Sequence, residues 1–94
     1  MKTSKYVSGE TFEQAFTLIN DSLTFLGITK TEFATRMGIS RQNYYFWKSS
    51  KRIPWIDFLA ALFVLTAEAG KIEDPTKCAS LLELVKIYYE EESK

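Results

Sequence analysis

Residues Lys30 to Pro54 read KTEFATRMGISRQNYYFWKSSKRIP, and this stretch decides the fold. Thr29, just ahead of it, is followed three positions later by Glu32, the capping-box spacing that satisfies free N–H groups at a helix start. A helix is therefore expected from Lys30. Phe33 and Met37 line one face of it, and Ala34 beside them leaves room for a second helix to cross closely. Gly38 stands where that helix must end and where the backbone often needs a positive φ. Ile39 then plugs the core and Ser40 caps a second helix, expected to run through about Lys48.

With Tyr44 and Trp47 turned inward, the helical rotation of 100° per residue turns Gln42, Tyr45, Phe46 and Ser49 outward. Arg41 and Asn43 fall on the two flanks. Charge separates an ordinary helical hairpin from a nucleic-acid reader. Residues 30 to 52 hold Lys30, Arg36, Arg41, Lys48, Lys51 and Arg52 against Glu32 alone, six cations less one carboxylate, a net of +5. The whole chain is neutral, with 12 basic and 12 acidic residues, so the remainder carries −5. Basic charge is thus concentrated on one segment, the footprint that phosphate contact needs, although a charge run is often only a solvated face.

These residues resemble the Cro/CI-like helix-turn-helix regulators. The likeness rests on Ala34, Gly38, Ile39, Ser40-Arg41, Trp47 and Pro54, spaced without insertion, and covers roughly residues 12 to 68. Ile53-Pro54 followed by Phe58-Leu59-Ala60-Ala61-Leu62 adds a slighter resemblance to phage CII-type activators. Two departures stand out: Tyr44 occupies a place where Val or Ile is usual, and Tyr45-Phe46 makes the outward face more aromatic than the family shows. The resemblance implies an all-α, five-helix, lambda-repressor-like bundle whose second short helix enters the major groove of double-stranded DNA. It implies a transcriptional regulator, repressor or activator, acting as a homodimer or higher homo-oligomer on a paired operator.

On that reading Lys30, where the family often has glutamine, and Ser40 hold phosphates, with Thr31 beside them and Lys48, Lys51 and Arg52 adding backbone charge. Gln42 leads for a base-edge contact, because its amide can bond adenine bidentately, and Arg41 follows for guanine or phosphate. Asn43, Tyr45, Phe46 and Ser49 complete the set. The competing reading is a protein-binding adaptor or antitoxin that uses the aromatic Tyr45-Phe46 surface to hold another protein.

The rest of the chain supplies scaffold. Thr11 with Gln14 repeats the capping-box pattern, and Phe12, Ala15, Phe16, Ile19, Leu23 and Leu26 recur at helical spacing up to Gly27. From about Ile56 to Ala69 the segment is apolar nearly all round, at Phe58, Leu59, Leu62, Phe63 and Leu65, which predicts burial on most sides. Asp74-Pro75 offers an N-cap and a first-turn proline for a last helix over 75–92. Its stripe of Leu81, Leu82, Val85, Tyr88 and Tyr89 either completes the monomer core or forms a dimer seam. Residues 1–10 lack periodicity and read as a flexible arm, leaving a single domain over 11–94.

Composition closes other routes. With 26% charged and 46% hydrophobic residues the chain is an ordinary globular one. The longest apolar run, Phe58 to Thr66, is about half of what a membrane span requires, and no signal-like stretch opens the chain. A cytoplasmic protein is expected. Histidine is absent, which removes the commonest general base and metal ligand. Cys78 is the sole cysteine and reads as a small buried hydrophobe. No glycine loop could cradle a phosphate, and Glu90-Glu91-Glu92 point in different directions along a helix. The expectation is no enzyme, no catalytic residue, no metal, no cofactor and no small-molecule substrate.

Overall fold

In a computed structural model, residues 6–73 and 78–92 are described. Among them the chain is 78% helical, with five helices and a small two-stranded sheet. The order is β1 (Tyr6–Ser8), α1 (Gly9–Leu26), α2 (Lys30–Met37), α3 (Arg41–Ser50), β2 (Arg52–Pro54), α4 (Trp55–Ala69) and α5 (Ala79–Glu92).

The five expected helices are present, and the ribbon adds a small sheet to the all-α expectation. β1 and β2 pair antiparallel, with Tyr6 opposite Pro54, Val7 opposite Ile53 and Ser8 opposite Arg52. Val7 and Ile53 are both fully buried while Tyr6, Ser8 and Arg52 are exposed, so each short strand alternates as a half-buried strand must. The flexible arm expected over 1–10 is therefore corrected at Tyr6–Ser8, which hydrophobic burial of Val7 pins to the sheet; residues 1–5 lie outside the described part. Helix α1 starts at Gly9, ahead of the Thr11 pattern.

Elsewhere the local signals act as their chemistry dictates. Glu32 N–H donates to Thr29 Oγ1 at 3.1 Å and Thr29 N–H donates to Glu32 Oε1 at 3.3 Å, a closed capping box at the start of α2. Gly38 ends α2 with φ +78°, and Ile39 N–H returns to the Ala34 carbonyl at 3.0 Å, the Schellman closure that satisfies a helix end. Ser40 Oγ accepts from Asn43 N–H at 3.1 Å and caps α3, which runs to Ser50, two residues beyond expectation.

The core gathers Phe12, Ala15, Ile19 and Leu23 of α1, Phe33 of α2, Tyr44 and Trp47 of α3, Phe58, Ala61 and Leu65 of α4, and Leu81, Leu84 and Ile87 of α5. Cys78 is buried with them. Helix α1 lies against both α4 and α5, and α4 also backs α2, so α2 and α3 sit on a three-helix support.

Three expectations change here. Asp74-Pro75 falls outside the described residues, and the last helix begins at Ala79, after a non-helical Cys78, instead of at residue 75. Leu81 is buried in the core, so it leaves the stripe proposed for a seam; Leu82 and Tyr89 are exposed, and Val85 and Tyr88 half-buried. Helix α4 is buried on one face only, through Phe58, Ala61, Leu65 and Ala69, and its outward face shows Ile56 and Phe63 to solvent. Within the described residues, no helix is long and apolar enough to cross a membrane.

Candidate nucleic-acid interface

Helix α3 presents its outward face because two aromatic side chains are sunk beneath it. Tyr44 and Trp47 are 1% and 2% exposed, their rings 5.4 Å apart. Tyr44 meets the edge of Phe33 at 6.1 Å and lies 5.6 Å from Phe16, which locks α3 to α2 and α1 through one ring. Its hydroxyl donates to Asn20 Oδ1, and Asn20 Nδ2 donates on to the Phe16 carbonyl at 3.0 Å. Burial, with the neighbouring Tyr45 charge adding, pushes the Tyr44 phenol up to about 12.

With that anchor in place, Arg41, Gln42, Asn43, Tyr45, Phe46, Lys48 and Ser49 are all exposed along α3, and Lys51 and Arg52 follow them at its end. Lys30, Thr31 and Ser40 are exposed as well. The structure thus places all twelve residues expected to touch DNA at the surface. Their freedom differs. Ser40 is occupied as the N-cap, and Ser49 Oγ donates to the Phe46 carbonyl at 3.2 Å. The Arg52 guanidinium lies 4.4 Å over the Tyr6 ring, a cation–π contact that steers it along the ribbon.

Lys30, Thr31, Arg41 and Tyr45 converge on one groove of about 460 Å³, where the start of α2 meets the start of α3. Asn20, Thr24 and Thr29 line it too. Those three were missed in the sequence, where Asn20 and Thr24 are merely polar positions near the end of an amphipathic helix; only the crossing of α1 behind α3 brings them to the groove. The Arg41 guanidinium stands 5.5 Å from the Tyr45 ring centroid. Its hydrogen bond and charge, joined by the charges of Lys30 and Lys48, hold the Tyr45 phenol below its ordinary value. Arg41, Lys30 and Lys48 thus all act on one hydroxyl, which places three cations about the exposed Tyr45 ring.

Arg36 behaves otherwise. It pairs with Glu68 of α4 and lies 3.9 Å from Glu32, while Lys71 holds the same Glu68 carboxylate at 2.7 Å. The Lys71 hydrogen bond, reinforced by Arg36, keeps the Glu68 carboxyl below the usual carboxylate range. Arg36 therefore clamps α2 to α4 and is withdrawn from the basic set, leaving Lys30, Arg41, Lys48, Lys51 and Arg52. Lys51 carries a further mark: it ends α3 with φ +58°, the one non-glycine residue described with a positive φ. Comparison of the chain with family models, curated proteins and solved structures found no match.

Proposed function

We propose that this protein is a sequence-specific double-stranded DNA-binding regulator of transcription, with α2 and α3 forming a helix-turn-helix in a lambda-repressor-like bundle. Helix α3 enters the major groove. The observation that carries this reading is the coincidence, on one exposed face, of a helix rigidly anchored from below by Tyr44 and Trp47 with five cations at its two ends and flanks. Lys30 and Arg41 meet phosphates at the start of α3, while Lys48, Lys51 and Arg52 meet them at its end, and Gln42 between them reads a base edge. Such phosphate contacts supply affinity through counterion release, and the groove of bases supplies choice. No catalytic step belongs to this reading.

One helix covers too little DNA for tight binding, so two copies acting on paired half-sites about 34 Å apart complete the proposal. Selection of bound duplexes from a random pool should return a short, defined motif, and log K should fall linearly with log salt. The second reading, an adaptor or antitoxin holding another protein, is favoured by Phe46 and Tyr45, which stand 58% and 40% exposed on the same face. Binding through those rings would be nearly indifferent to salt and would select no sequence.

A further inference from the structure

Helix α4 carries on its outward side the two most exposed large apolar side chains among the described residues, Phe63 at 80% and Ile56 at 71%. They lie seven positions apart, two helical turns, and Ala60 and Ala67 fall on the same line. Beside this ridge runs a groove of about 430 Å³ lined by Leu59, Leu62, Phe63, Thr66, Ala67 and Tyr88, none of them charged. Its far wall is held firmly. Tyr88 stacks on Trp55 with centroids 5.6 Å apart and planes within 5°, and Tyr89 meets Tyr88 edge-on at 5.4 Å while remaining 66% exposed.

A projecting ring therefore stands next to a recess of matching chemistry on the same face. We propose that this face pairs two copies of the chain about a two-fold axis near Phe63. The Phe63 ring of each copy enters the Leu59, Leu62 and Tyr88 groove of the other. A two-fold interface must be complementary to itself, and a surface that offers both knob and hole meets that demand without a second kind of surface. Opposed α4 helices then run antiparallel, with Leu59 over the partner's Ala67.

Three physical arguments select a second copy as the occupant. Phe63, Ile56 and Tyr89, at 80%, 71% and 66% exposed, together offer on the order of 400 Å² of apolar surface, and the groove walls extend it toward the roughly 800 Å² each partner gives a standard interface. DNA is disfavoured because, among the described residues, no cation lines the groove to meet a phosphate. An acidic or basic peptide would find no counter-charge there either. The pairing would serve the paired-site reading proposed above, but it is read without DNA and does not depend on it. It also shifts the expected seam from the α5 stripe of Leu81, Leu82, Val85, Tyr88 and Tyr89 to the ridge of α4, with Tyr88 and Tyr89 kept at its border.

Sedimentation velocity of the full chain, free of DNA and from micromolar to near-millimolar concentration, tests this directly. The unaltered chain should shift from monomer to dimer as concentration rises. Phe63→Glu should sediment as a monomer throughout with an unchanged helical circular dichroism spectrum, since an 80% exposed side chain contributes little to the fold. Ala67→Arg, which blocks the groove and keeps the ring, should do the same. Leu82→Glu should leave the dimer intact. An unaltered chain that stays monomeric at every concentration overturns the proposal, as does a Phe63→Glu dimer, or dissociation by Leu82→Glu alone. A one-to-one complex of a monomeric chain with an apolar amphipathic peptide would assign the face to another protein and overturn it equally. The DNA reading fails separately: a chain that dimerises as described yet selects no DNA sequence keeps this pairing and loses that function.

Discussion

The hydroxyl of Tyr44 in α3 donates its hydrogen bond to the side-chain carbonyl of Asn20 in α1. Helix α3 is thus moored to the longest helix of the support by a polar contact inside an apolar ring cluster. Ionising the phenol would bury a charge among apolar rings, and this desolvation, with the nearby Tyr45 charge adding, is the physical reason the group resists losing its proton.

A pH dependence of stability follows with a definite sign. The folded-state value is raised to about 12, above the 10.0 of an unfolded tyrosine, so this contribution is complete below pH 10 and is lost as pH climbs toward 12. Two units correspond to about 2–3 kcal/mol. Denaturant melts of a Tyr45→Phe background across that range should show the decline, and adding Tyr44→Phe should abolish the slope. In the unaltered protein the phenolate absorbance should rise in separated steps, with Tyr45 ionising well before Tyr44.

Gln42 lies opposite the Tyr44 and Trp47 anchors and makes no contact the fold needs. Gln42→Ala should relax base preference and cost about 1–3 kcal/mol on the best duplex, with the melting temperature unchanged. Equal affinity and equal preference after the change would take Gln42 out of the reading role.

Lys51 holds a left-handed backbone that glycine adopts freely and other residues adopt at a cost. Lys51→Gly should therefore stabilise the protein by roughly 0.5–1 kcal/mol while weakening binding to all duplexes and flattening the salt plot by about one unit. Opposite movements of stability and affinity are the signature. A variant that gains stability with no loss of affinity would show that the lysine touches no phosphate.

Arg36 and Lys48 should part company in the same measurement. Lys48→Gln should reduce the slope of log K against log salt by about one, whereas Arg36→Gln should leave it nearly unchanged, because Glu68 and Glu32 already neutralise Arg36. Arg36→Gln should instead lower stability. Equal effects on the slope would mean that the Arg36 clamp opens on binding.

At Gly38 the φ of +78° is the whole requirement, since a Cβ built there would meet nothing within 4 Å. Gly38→Val should cost more than about 1 kcal/mol and Gly38→Asn clearly less, a ranking set by backbone preference alone. Thermal melts of the two variants decide it; equal losses would point to a hidden steric conflict.

Signals confined to a few neighbouring residues were legible in the sequence. Thr29 with Glu32, Gly38, Ser40 and the inward pair Tyr44 and Trp47 each act over less than two helical turns, and each behaves in the structure as its chemistry requires. The strands were not legible, because three residues such as Arg52-Ile53-Pro54 are too few for an alternating pattern to register. Arg36 looked like one more cation because its partner Glu68 lies two helices away. Helix α4 was misjudged for a different reason: a segment apolar on nearly every side carries no polar face to say which side meets water, so Phe63 could not be told from Phe58. Leu81 and Leu82 posed the same difficulty on α5.

The β1–β2 ribbon has a bearing on folding order. Val7 precedes α1 and Ile53 follows α3, so their pairing closes three helices into one loop, and that closure repays its entropy only after the helices have packed. On this loop-closure argument the ribbon is expected to form late, as a latch and not a nucleus. Cleavage, extension or a fused tag just ahead of Tyr6 would be felt at the far end of α3, where Arg52 leans on the Tyr6 ring, as a slower final step of folding and a looser hold on the last turn of α3.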